Sequence, residues 1–129
     1  MDLSWKYSDK HSPAAPVMPL TLRSFSIEAV VDTGFGGGLL IPFPLFETLG
    51  LLSALTPDER LLVLPDSTRL ELYTARDEVG VGSDSIKVEV HSSPSVDRRL
   101  VGRGFLRSFV AALDGEEEEL TVRRIRPRD

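Results

Sequence analysis

Ala29-Val30-Val31-Asp32-Thr33-Gly34-Phe35-Gly36-Gly37-Gly38-Leu39-Leu40-Ile41-Pro42 is the stretch whose reading decides the fold. An apolar run climbs into a single carboxylate, crosses a glycine-dense turn and falls into a second apolar run. An ionised group at the end of a buried-looking strand must be paired or must change its protonation. Thr33 offers a hydroxyl for that purpose, and Gly34 an unhindered backbone N–H and C=O. Upstream, Phe25, Ile27 and Ala29 alternate with Ser24, Ser26 and Glu28, the period of a strand with one polar face. The alternation ends at Val30-Val31, where both faces turn apolar. Downstream, Leu39-Leu40-Ile41 reads as a second buried strand. Residues 45–50 then read as a short helix, with Pro44 near its start and Gly50 as its stop.

Farther out, Leu61-Leu62-Val63-Leu64 and Leu70-Glu71-Leu72-Tyr73 flank Pro65-Asp66-Ser67-Thr68-Arg69, where Pro followed by Asp suits a type I turn and predicts a hairpin. Residues 78–82 and 86–91 alternate around Ser83-Asp84-Ser85, a second hairpin, with His91 on its polar face and read as solvated. Leu100-Val101-Gly102 forms a short apolar segment, and Phe105, Leu106 and Phe109 at helical spacing predict a helix over 103–109. Residues 110–115 and 120–122 suggest a last hairpin around the four-glutamate run 116–119, read as a solvated turn. Residues 1–16 become Pro- and Ala-rich toward their end and read as a loosely held arm, either a frayed terminus or a segment that pairs with a partner subunit. The tail 123–129 is basic.

At 129 residues the chain makes one domain with a single core. Its formal net charge of −5 argues against a general nucleic-acid binder. With no cysteine there is no disulfide framework and no thiolate metal site. The first ten residues lack the apolar centre of a secretory signal, and no run approaches the ~18 apolar residues of a spanning helix. The expectation is a soluble, cytoplasmic protein with no nucleic-acid or membrane partner. The glycine-dense turn carries no lysine and leads into a strand rather than a helix, so it does not suit phosphate. No His, Asp and Glu spacing suggests zinc, and no metal or cofactor is expected. Neither a cysteine nor a Gly-x-Ser-x-Gly element is present to serve nucleophilic catalysis.

Asp32-Thr33-Gly34 after an apolar strand, and Leu100-Val101-Gly102-Arg103-Gly104-Phe105-Leu106 with Gly102 standing 70 residues after Asp32, together resemble the two signature segments of the retropepsin-like (retroviral-type) aspartic proteases. The resemblance implies an all-β fold, a closed β-barrel with one or two short helices, assembled as an obligate homodimer. It assigns the protease domain to residues 17–122, between the arm 1–16 and the tail 123–129. It implies an aspartic endopeptidase with Asp32 as catalytic acid/base, supported by Thr33 across the dimer axis and by Gly34. Phe35, Gly36 and Gly37 would border the cleft with Val101, and Asp66, Ser67 and Thr68 would cover it as a flap. An extended or unfolded peptide would be the substrate.

Two carboxylates sharing one proton are needed for this chemistry, and the sequence holds no second Asp-Thr-Gly. A two-fold homodimer supplies the second, because an isologous interface lets a residue near the axis meet its own copy. Two departures from the retroviral pattern stand out. The flap segment has no glycine, and Gly36 stands where an acidic residue usually pairs with the arginine of the second segment, so Arg103 must find another partner. The reading of another class is a non-catalytic peptide-binding or dimerisation module on the same fold.

Overall fold

A computed structural model of the chain describes residues 2–56, 60–63 and 69–125. The period-two pattern before the glycine turn becomes an antiparallel hairpin. β2 (Val17–Leu22) pairs with β3 (Phe25–Val31) from Val17↔Val30 to Leu22↔Phe25. Ile27, Ala29 and Val31 of β3 enter the core, while Ser26 and Glu28 face out. The two-residue loop holds Arg23 and Ser24 at φ 48° and 72°, the left-handed pair that matches strand twist and usually falls to Asn or Gly. Arg23 gains compensating contacts there: its Nε donates to Asp77 Oδ2 at 2.7 Å and its Nη1 to the Leu49 carbonyl at 2.9 Å.

β4 (Leu39–Leu40) follows the turn, and α1 (Phe43–Thr48) starts with proline in its first turn. The chain leaves α1 through Gly50 at φ 75° and adds a 3₁₀ turn, Leu51–Ala54, that the sequence reading did not anticipate. β5 (Arg60–Val63) pairs with the first residues of β6 (Arg69–Val81), from Arg60↔Leu72 to Val63↔Arg69. The hairpin expected here is therefore present, whereas Asp66, Ser67 and Thr68 lie outside the described residues. β6 then pairs with β7 (Asp84–Ser92) from Tyr73↔Ser92 to Val81↔Asp84.

β8 (Leu100–Val101), α2 (Arg103–Leu106), β9 (Phe109–Asp114) and β10 (Glu119–Arg124) complete the chain. Strands in the order β2-β3-β8-β4-β7-β6 close on themselves through Thr21↔Gly80 and Leu22↔Val79, and β5 extends the sheet from β6. The result is a closed six-stranded barrel with two short helices, all-β as expected. Met18, Leu22, Phe46, Val79, Val90 and Phe105 are among the fully buried residues that fill it.

Three expectations are corrected. The helix expected over 103–109 stops at Leu106, and Phe109 opens β9. Its ring still stacks on Phe105, with centroids 5.8 Å apart, so the apolar spacing served packing rather than helical continuation. The segment read as a loose arm contains β1 (Asp2–Lys6), which pairs with β10 from Asp2↔Arg123 to Lys6↔Glu119. Its half-buried Leu3 and Trp5 alternate with exposed Ser4 and Lys6, and the apolar pair packs against the core. For the same reason Arg123 and Arg124 belong to β10 rather than to a free tail. β1, β10 and β9, in that order, form a second sheet of three strands. Among the described residues no helix is long and apolar enough to cross a membrane.

Candidate functional site

Asp32 follows directly on β3, and its N–H extends the ladder by donating to the Val101 carbonyl at 2.9 Å. Alternation places its side chain with Ser26, Glu28 and Val30, on the face opposite the core-directed Ile27, Ala29 and Val31. The carboxylate is thus half-buried rather than sunk in the interior. Oδ1 accepts the Gly34 N–H at 2.9 Å, and among the described residues Oδ2 has no hydrogen bond. The Phe35 N–H donates to the Asp32 carbonyl at 3.1 Å, closing the turn, with Thr33 and Gly34 exposed at its tip. The compensation expected for Asp32 therefore comes from the Gly34 amide and from solvent.

β8 fixes this turn by lying between the two strands that the turn connects. It runs parallel to β3 (Val30↔Leu100, Val31↔Val101) and antiparallel to β4 (Leu39↔Val101, Leu40↔Leu100). Past its end, Gly102 N–H donates to Gly38 O at 2.8 Å, Arg103 N–H to Phe35 O at 2.9 Å and Gly104 N–H to Gly37 O at 2.9 Å. A β-carbon on Gly102 would lie 2.6 Å from Phe35 Cδ2 and 2.7 Å from Phe35 O, which is why this position takes glycine. Arg103 reaches over the turn and donates from Nη1 to the Thr33 carbonyl at 2.6 Å. The partner it was expected to need is a backbone oxygen, and no side chain is required at Gly36.

The residues expected to border a cleft divide sharply. The Phe35 side chain is fully buried with Leu40, Leu72, Val96 and Leu100, and its N–H donates to Asp32 O while its C=O accepts from Arg103 N–H. Val101 is also fully buried, in the main core, with its carbonyl held by Asp32. Side chains alternate along β8, and the one beside the Asp32 face is Leu100, opposite Val30. Val30 and Leu100, which the sequence reading missed, line a cavity of about 560 Å³ with Val17, Pro42, Arg98 and Arg99. The available signal was position, since Val30 precedes Asp32 by two residues on one strand face. Gly36 is exposed, and among the described residues its N–H and that of Gly37 have no intrachain hydrogen bond.

His91 is a further correction. It is 1 % exposed rather than solvated. Its Nδ1 lies 2.9 Å from Thr74 Oγ1, and its Nε2 accepts the Gly38 N–H at 3.3 Å. Among the described residues no three His, Asp or Glu side chains are grouped as metal ligands would be.

No protein-family model matches the chain, and no curated protein matches it in sequence. Solved structures do match in fold. A retropepsin-like aspartic protease from Rickettsia conorii superposes with a TM-score of 0.67 at 16% identity, covering 95% of this chain and 90% of that one. The retroviral protease-like domain of Ddi1 from Leishmania major gives 0.59 at 13% identity, over 80% of this chain and 79% of that one. EIAV protease complexed with the inhibitor HBY-793 gives 0.53 at 13% identity, over 80% and 92%. The barrel, with its β3–turn–β4 unit wrapped around β8, is the retropepsin-like fold.

Proposed function

We propose that this chain is an aspartic endopeptidase that works as a homodimer, hydrolysing extended or unfolded peptide segments between two copies of Asp32. The observation that carries the reading is the half-exposed Asp32, with Oδ1 held by Gly34 and Oδ2 open, in a fold whose solved examples include aspartic proteases. One carboxylate is half of what the reaction needs. Two carboxyl groups ~3 Å apart cannot both ionise, so the pair shares a proton and titrates as a unit. The ionised member takes a proton from water as the oxygen attacks the peptide carbonyl, and the protonated member gives its proton to the carbonyl oxygen. Collapse of the tetrahedral intermediate breaks the C–N bond as the nitrogen is protonated, and the dyad returns to its starting state.

Two further features support this reading. β9 ends the sheet β1-β10-β9 and exposes Val110 (47%) and Leu113 (45%) on either side of Ala111 and Ala112. An apolar edge strand without Lys or Pro suits pairing with another chain, here a second copy. The N–H of exposed Gly36, with no partner among the described residues, suits a carbonyl of a peptide laid alongside it as an added strand, with buried Gly37 behind it.

The test is Asp32→Asn. Wild type is expected to cleave a denatured protein and to be blocked by a pepstatin-type inhibitor. The variant is expected to cleave nothing while keeping its fold and its association state. Cleavage retained by the variant would refute the assignment.

A further inference from the structure

Among the buried groups that this hydrolysis does not use, His91 has the most unusual surroundings. On β7 it follows Lys87 and Glu89 on the face opposite Val88 and Val90, the side that a barrel usually turns to solvent. Here the turn after Asp32 lies over that face. His91 stands in register with Thr74 of β6 and with Leu40 of β4. Its ring meets Phe35 edge-on, with centroids 6.2 Å apart and planes at 86°. It also backs directly onto Gly37, where a β-carbon would lie 3.0 Å from both Cδ2 and Nε2. The Gly38 N–H can only donate, and a neutral ring with its proton on Nδ1 accepts it at Nε2 while donating toward Thr74 Oγ1, which is the tautomer these two contacts suit. One imidazole thus touches Phe35, Gly37 and Gly38, and ties them to β6, the strand that continues into the β5–β6 hairpin.

We propose that His91, neutral and protonated on Nδ1, is a positioning residue that holds the Gly36 and Gly37 edge in shape for a peptide, and that a second proton on the ring releases that edge. The proposal rests on the peptidase reading of the edge. A protonated Nε2 would confront the Gly38 N–H donor to donor, and the hydrogen bond would be lost. Among the described residues, charged groups near the ring come from three elements. Glu89 precedes it on β7, Arg107 lines the same cavity of about 240 Å³ just beyond α2, and Arg76 of β6 stands opposite Glu89 in register. β4 contributes only Leu39 and Leu40.

Nitrogen-15 NMR of the free protein reads the ring without needing catalysis. Near neutral pH, Nε2 is expected unprotonated and Nδ1 protonated, and the Gly38 amide shift should move with the ring as acid is added. Kinetics supply the second arm. His91→Leu is expected to raise KM about tenfold, the effect of one net hydrogen bond, with kcat little changed. His91→Gln can accept from Gly38 without titrating, so it is expected to keep KM within about twofold of wild type and to lose the acid-side rise in KM. A proton on Nε2, identical pH profiles for wild type and His91→Gln, or a Gln variant as impaired as the Leu variant would each overturn the proposal. A wild type that cleaves nothing refutes the peptidase reading instead, and the NMR arm still decides whether the ring holds the turn.

Discussion

In the barrel, β2 returns to β6, so the strands around Asp32 have hydrogen-bonded neighbours on both sides. In the sheet β1-β10-β9, β9 has β10 on one side and no strand on the other among the described residues. The barrel buries its apolar residues and closes its edges, whereas the small sheet leaves an apolar strand open to solvent. The contrast separates two tasks within one chain. The closed part holds a single carboxylate at the end of β3, and in the proposed dimer the open part would bring the second one to it.

The comparison breaks most completely at β9. Val110→Lys combined with Leu113→Lys places charges where an apolar partner is expected, and burying unpaired charge is prohibitive. The double variant is expected to be monomeric by light scattering and to lose at least ~100-fold in cleavage, with its far-UV circular dichroism unchanged, because loss of pairing rather than of fold is responsible. A dimer that survives with full activity would show that another surface does this work. Phe105→Ala attacks the closed part instead. It removes a fully buried ring that stacks on Phe109, and is expected to cost about 3–5 kcal/mol of stability in a urea titration. A cost below about 1 kcal/mol would mean that the barrel does not rest on that ring. The smallest effect sharpens the contrast. Ser24→Gly relieves a left-handed residue in the β2–β3 loop and is expected to stabilise the barrel by about 1 kcal/mol without altering association. Destabilisation would show that Ser24 makes a contribution that its backbone angle does not reveal.

Much of the closed part was legible from the chain because local signals agreed there. Period-two alternation gave β3 and the β6–β7 hairpin, and Asp32-Thr33-Gly34 with Leu100-Val101-Gly102 gave the turn and the strand behind it. What stayed hidden depended on what packs over what. His91 has the alternation of a solvent-facing residue and is buried because residues 35–38 fold across it. Val101 and Leu100 are equally apolar, and only the register with β3 decides which one meets the Asp32 face. β1 offers two apolar positions in five residues, too few to distinguish a strand from a frayed end until β10 lies beside it. The glycine at position 36 correctly announced that Arg103 would pair differently, but a sequence pattern gives no hint of a backbone acceptor such as Thr33 O.

The insertion of β8 between β3 and β4 has a consequence for biosynthesis. The strands that bracket Asp32 are complete by Leu40, yet among the described residues no ladder joins them directly, and each pairs instead with Leu100 and Val101. A nascent chain emerging from the ribosome therefore has no assembled turn until residues 100–104, sixty and more positions after Leu40, have cleared the exit tunnel. That separation along the chain keeps the turn around Asp32 open while residues 41–99, between β4 and β8, are being made.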